Sequence, residues 1–191
     1  MPKTLWKPGS MLYPAPVVMV SCGDFAQKKD MNIITVMYAG SACRDPHMLF
    51  ISVRPDRFSY DIIKKYGQFV VNLTTEELAF ATDFCGVKSG RDLDKFKACA
   101  LTAGAGEMVS APLIEESPIN IECSVKDIIE AGSHHLFLAE VLCVRADEKY
   151  MDSKGKFHLE YANPICYSHG KYYGMGKCFG GFGFSVKKTN K

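Results

Sequence analysis

An apolar run that ends in a proline-fixed basic turn and restarts as a helix admits few tertiary settings. Residues 48–67, MLFISVRPDRFSYDIIKKYG, have this form. Met48–Val53 reads as a buried strand, and Pro55 holds Arg54 extended, so the strand runs out to that residue. Asp56, Arg57 and Phe58 make a sharp connection. A short helix is predicted from Ser59, as N-cap, to Gly67, as the residue just past its C-terminus. The junction combines free helix N–H groups, a hydroxyl and two guanidiniums, the components of a phosphate site. On this stretch alone, ordinary surface charges at a strand-to-helix turn are the better account of Arg54 and Arg57.

The chain can bury one core: 191 residues, 47% hydrophobic, are expected to form a single domain over 1–191. Basic and acidic residues nearly balance at 23 against 21, so charge makes no case for nucleic acid or an anionic membrane. Lys187, Lys188 and Lys191 read as a solvated end. No apolar run approaches the ~18 residues of a membrane span. Pro14 and Pro16 interrupt the apolar stretch after Lys3 and Lys7, so no signal peptide is read and a cytoplasmic protein is expected. The eight cysteines lie scattered through apolar segments, without a C-x-x-C pair or zinc spacing. Reduced core thiols and no metal site are expected.

In chain order, residues 1–16 form a proline-interrupted arm that Trp6 and Tyr13 are expected to pin to the body. Val17–Cys22 and Met31–Gly40 read as strands. Ile33, Thr35 and Met37 face one side of the second strand, Ile34, Val36 and Tyr38 the other, and its apolar faces suggest a central position. The small residues Gly40–Cys43 would let a flat ligand approach the backbone. Phe69–Leu73 is a further strand. Thr74 to Glu77 resemble a capping box, with Thr74 as cap, opening a helix over 76–85 that buries Leu78, Ala81 and Cys85 and stops at Gly86. Ser89, Gly90 and Arg91 sit in a polar loop, with Lys95 on a short helix beyond; alone, this is a solvated turn.

Residues 101–118 read as connection with one short strand. Residues 118–129 alternate as a strand, with Ile119, Ile121, Cys123 and Val125 on one face. Residues 134–145 form its antiparallel partner. His134 and His135, being consecutive, point to opposite faces. Phe157–Leu159 reads as a short strand. The glycine-aromatic segment 167–191 is read as an irregular tail that covers a ligand or a partner, or packs on the barrel wall. Many short strands and few helices favour a mainly β, antiparallel Greek-key barrel over a doubly wound sheet.

Six segments then occur in a familiar order: NIITVMYAG (32–40), FISVRPDRFSY (50–60), FVVNL (69–73), KSGRDLDKF (88–96), GSHHLFLAEV (132–141) and GFGFS (181–185). Over residues 16–185 the chain resembles the flavin reductase-like, FMN-binding split-barrel family, most of all its flavoredoxin branch. The resemblance implies a homodimer with non-covalent FMN near the interface, and it makes the phosphate reading the leading one. Thr35, Val36, Met37 and Tyr38 would line the isoalloxazine. Ser52, Val53 and Arg54 would pass the ring and ribityl chain. Arg57 and Ser59 would hold the phosphate, with Ser89, Arg91 and Lys95 approaching from the second loop. His134 matches the histidine of a Gly-Asp-His motif facing nicotinamide, but Ser133 stands where the family has Asp. The implied activity is an NAD(P)H-dependent flavin or acceptor reductase passing hydride to FMN N5. The alternative is a flavoredoxin-like carrier that keeps FMN bound and exchanges electrons with a redox-protein partner.

Overall fold

The computed structural model describes residues 1–186; the lysines read as a solvated end lie outside them. The strands are β1 (Ala15–Pro16), β2 (Val18–Asp24), β3 (Lys29–Val36), β4 (Ala39–Arg44), β5 (His47–Val53), β6 (Gln68–Leu73), β7 (Ala103–Gly104), β8 (Leu113–Ile114), β9 (Ile119–Ala131), β10 (His134–Ala146), β11 (Ile165–Ser168) and β12 (Lys171–Gly174). The α-helices are α1 (Phe58–Tyr66), α2 (Ala79–Val87) and α3 (Lys95–Ala98). Among the described residues no helix is long and apolar enough to cross a membrane.

Seven strands form one antiparallel sheet in the order β3-β2-β6-β9-β10-β5-β4. Its two edges, β3 and β4, are joined only by Met37 and Tyr38. Three Cα steps reach about 11 Å, so the sheet has to curl until its edges meet. They meet without pairing to each other, and the result is a mainly β split barrel. The interior is filled by Val20, Ile51, Ile63, Phe69 and Phe137, all fully buried. A second cluster, including Met19, Ile33, Leu78, Ala81, Cys85 and Phe96, lies between the barrel wall and helices α2 and α3. β1, β11 and β12 form a separate three-stranded sheet that ties the N-terminal arm to the C-terminal segment.

Several local expectations are corrected. β3 is an edge strand, not a central one; it is apolar on both faces because the barrel core covers one and the α2–α3 cluster the other. Residues 40–43 belong to β4. Arg57 occupies the N-cap position of α1 without a side-chain cap bond, and Ser59 is buried in the first turn. Gly67 terminates that helix as expected, left-handed at φ 64° with its N–H on the Ile63 carbonyl. The capping box does not form: Thr74 Oγ1 donates to the Val17 carbonyl (2.6 Å), Thr75 Oγ1 accepts from Leu78 N–H (3.3 Å), and α2 continues through Gly86 to Val87.

Residues 101–118 hold two paired strands, β7 and β8. Phe157 contributes a single bridge to Met151 in place of a strand. Trp6 is 71% exposed and does not pin the arm, whereas the Tyr13 ring packs at a tilt against His169, centroids 4.4 Å apart. The tail begins as the β11–β12 hairpin, with Tyr172 OH donating to Asp83 on α2 (3.0 Å), before Met175, Phe179 and Phe182 turn outward. No disulfide is present, and the cysteines are free thiols. Among the described residues no cluster of three metal-ligating side chains occurs.

Candidate functional site

Two adjoining pockets open at the β3 edge of the barrel, sharing Ile34, Arg57 and Gly86. The first, of about 170 Å³, is lined by Arg57, Ser59, Ser89, Arg91 and Lys95. The second, of about 210 Å³, is lined by Thr35–Tyr38, Ser52–Arg54, Arg57 and His134. Every residue assigned to FMN or nicotinamide from sequence thus lines one pocket or the other, whereas the small residues Gly40–Cys43, expected to admit a flat ligand, line neither.

The first pocket is built for a compact anion. Arg57, Phe58 and Ser59 open α1 into it, so the free N–H groups and positive end of that helix face the cavity. Ser59, 1% exposed, receives a 2.8 Å bond from Asn32 Nδ2, which leaves its own hydroxyl proton to donate. Across the cavity, Ser89 Oγ accepts from the Arg91 N–H (3.2 Å), and the Arg91 guanidinium lies 5.3 Å over the Phe58 ring. Lys95 is buried, and its ammonium donates to the Ile33 and Cys85 carbonyls, each at 2.7 Å. One of its three protons remains for a ligand. Burial lowers its pKa, which an anion beside it would reverse.

The second pocket is less charged. β3 leads into it, Met37 and Tyr38 cross its end, and β5 returns along it, with the Ser52 N–H bonded to the Tyr38 carbonyl (2.8 Å). Thr35 Oγ1 donates to the Thr82 carbonyl on α2, so Thr35 is held by the helix while its backbone lines the pocket. Val53 is buried. His134 meets Tyr38 edge-to-face at 5.4 Å and shares a 3.0 Å hydrogen bond with the Ser133 hydroxyl. Burial first, then the Arg54 charge, lowers the His134 pKa and favours the neutral ring. His135 points the other way, to Tyr60 OH (2.8 Å), as consecutive strand residues must.

Sequence reading missed Asn32, Asp56, Gly86 and Gly90. Asn32 carried a usable signal, being a polar residue on the strand face it shares with Ile34 and Val36. Gly90 carried none: a Cβ there would lie 2.1 Å from Asn32 Oδ1, so the second loop packs directly on the Asn32–Ser59 pair. A phosphate ester joined to a flat ring matches this donor set. The cations and hydroxyls gather at one end, backbone and apolar walls at the other, and the missing Cβ lets the loops close together.

An uncharacterised protein of Archaeoglobus fulgidus is 29% identical over 78% of this chain and 82% of its own. The structure is similar to flavoredoxin of Desulfovibrio vulgaris (Miyazaki F), with a TM-score of 0.88 and 28% identity over 98% of this chain and 100% of that one. Flavoredoxin from Methanosarcina acetivorans gives 0.87 with 24% identity over the same shares, a likeness of fold. The flavin reductase like domain profile matches residues 10–176, and the chain belongs to that family.

Proposed function

We propose that this protein binds FMN non-covalently and works as an NAD(P)H-dependent flavin or acceptor reductase. The observation that carries the reading is the shared wall: Arg57 lines both pockets, so a ligand with a phosphate on one side and a flat ring on the other would meet it at the join. Arg57, Arg91, Lys95 and the Ser59 and Ser89 hydroxyls would hold the phosphate dianion. Thr35–Tyr38, Ser52 and Val53 would bracket the ring. His134, a lining residue of the second pocket whose lowered pKa favours the neutral ring, would orient nicotinamide. When bound, the flavin supplies the electron-transfer chemistry, and the chain supplies binding, orientation and electrostatics.

A second reading is favoured by one observation. Ser133 replaces the aspartate of the Gly-Asp-His pattern and bonds the His134 ring through a hydroxyl, so no carboxylate supports that imidazole. A flavoredoxin-like carrier, retaining FMN and exchanging electrons with a redox protein, needs no such support. The similarity to Desulfovibrio flavoredoxin supports this reading as well.

Both readings include a homodimer in the cytoplasm. Leu5 and Leu12 of the arm and Phe179 and Phe182 of the tail are almost wholly exposed in the single chain, and a second copy would cover them. Eight free thiols suit a reducing compartment.

An anaerobic absorbance spectrum, before and after NADH and then NADPH, tests the reading. Flavin bands that bleach rapidly with either nucleotide support the reductase and identify its donor. Bands that persist with both but bleach with a chemical reductant support the carrier. Absence of flavin bands after incubation with FMN and desalting overturns both.

A further inference from the structure

Asp56 is a carboxylate lining a pocket otherwise furnished with cations, and no role assigned so far uses it. Its two oxygens take both ends of one guanidinium: Oδ1 accepts from Arg54 Nε at 3.1 Å, Oδ2 from Arg54 Nη2 at 2.7 Å. Arg57 Nε stands 3.9 Å from Oδ1. The main-chain carbonyl of Asp56 accepts from Arg91 Nη1 at 3.2 Å. Residue 56 therefore touches all three arginines of the site.

The arginines are not distributed evenly. Arg54 lines the ring pocket and not the phosphate pocket, Arg91 lines the phosphate pocket and not the ring pocket, and Arg57 lines both. Arg54 and Arg57 lie on the same short connection, and a phosphate dianion would attract either. The two-point fork is what gives the Arg54 guanidinium a fixed direction. Both partners are about half exposed, so the pair adds little stability and its value lies in geometry.

We propose that Asp56 is a positioning residue that divides the arginines between the two ends of the ligand, holding Arg54 at the ring and leaving Arg57 and Arg91 to the phosphate. The inference rests on the flavin reading above. A reduced flavin ring carries more negative charge than an oxidised one, so a guanidinium held beside it favours the reduced form. Asp56 acts on that equilibrium through Arg54.

The sign of one measurement separates this role from a simple charge effect. Removing a carboxylate near the ring, with Arg54 fixed, raises the midpoint potential of bound FMN. Releasing Arg54 lowers it. Asp56→Asn, Arg54→Ala and the double variant are compared with the wild type by anaerobic titration against a reference dye, with FMN affinity measured separately by fluorescence quenching. Expected is about a tenfold loss in preference for reduced over oxidised flavin in Asp56→Asn, a fall of about 30 mV for a two-electron couple. Arg54→Ala should fall similarly, with no further fall in the double variant. Affinity of Asp56→Asn for oxidised FMN should be unchanged or tighter. A rise in potential, no change, or a fall that persists in the Arg54→Ala background would overturn the inference. So would a tenfold weakening of FMN binding in Asp56→Asn, which would place the carboxylate's role at the phosphate. Wild-type protein that takes up no FMN would overturn the flavin reading itself, and this inference with it.

Discussion

Asn32 Nδ2 donates to Ser59 Oγ at 2.8 Å, joining the barrel edge to the first turn of α1 where both line the first pocket. The second loop presses on this pair through Gly90. Gly90→Ala forces a Cβ to within 2.1 Å of Asn32 Oδ1, so either the loop retreats or the Asn32 amide gives up its place on Ser59. We expect FMN affinity to fall at least tenfold while the melting temperature without ligand changes little, read by fluorescence quenching and by thermal unfolding of the apoprotein. Unaltered FMN affinity would show that the loop closes elsewhere.

Arg57 sits at the join of the two pockets. A charge-assisted hydrogen bond contributes about 1.5–3 kcal/mol, so Arg57→Ala should weaken FMN binding by one to two orders of magnitude. Isothermal titration of the apoprotein checks this, and equal affinities for variant and wild type would remove Arg57 from the phosphate site.

His134 faces the ring pocket, and its partners there are Tyr38 and Ser133. His134→Ala should slow bleaching by NAD(P)H in stopped flow and leave FMN bound. Loss of flavin on desalting would place the imidazole in cofactor retention.

His158 lies between Asp152 (3.1 Å) and Glu160 (3.1 Å), stacked on Tyr161. The Asp152 hydrogen bond, followed by that of Glu160, raises its pKa above the ordinary 6.5. The folded state thus binds the proton more tightly than the unfolded one. The stabilisation is complete below pH 6.5 and is lost as pH rises through the folded value. A histidine-resolved NMR titration should give a midpoint above 6.5 for His158. Amide protection around residues 152–158 should fall over the same range in the wild type and not in His158→Gln.

Burial pushes the thiols of Cys22, Cys85 and Cys123 up to about 12, so they stay protonated and unreactive. Cys43 is exposed. A thiol reagent should modify Cys43 in the native protein and reach the three buried cysteines only on denaturation, as peptide mapping would show. Rapid native labelling of Cys85 would mean that the α2–α3 cluster opens.

The junction from β5 to α1 was legible because its determinants are local: Pro55 fixes the exit of the strand and Gly67 the end of the helix. The candidate site residues were named through the order of six short segments, each ambiguous alone, and the structure gathers them around two adjoining pockets. Contacts made at long range were not. Asn32 and Ser59 are 27 residues apart, and nothing in either segment announces the other. Glu122, fully buried, accepts the N–H groups of Glu107, Met108 and Val109, so the face of β9 opposite Ile121 and Cys123 holds a polar anchor that the alternation did not reveal. Thr74 lost its capping role to the same kind of competition, a distant carbonyl of Val17 claiming its hydroxyl. The position of β3 in the sheet was hidden because a helix covering an edge strand makes it as apolar as a central one.

The two-residue crossing from β3 to β4 has a consequence for how the site can change. In an antiparallel strand bonded on one side, every second residue turns its N–H and C=O away from the neighbour. The Ile33 carbonyl is turned in this way, since Lys95 bonds it, and by parity the main-chain groups of Thr35 face the same open seam. A closed wall would have consumed these groups in a ladder. Here they stand at the ring pocket, fixed by the pairing of β3 with β2. Under the flavin reading, recognition of the ring is written partly into the backbone, so part of the polar frame around a ligand does not depend on which side chains line the seam.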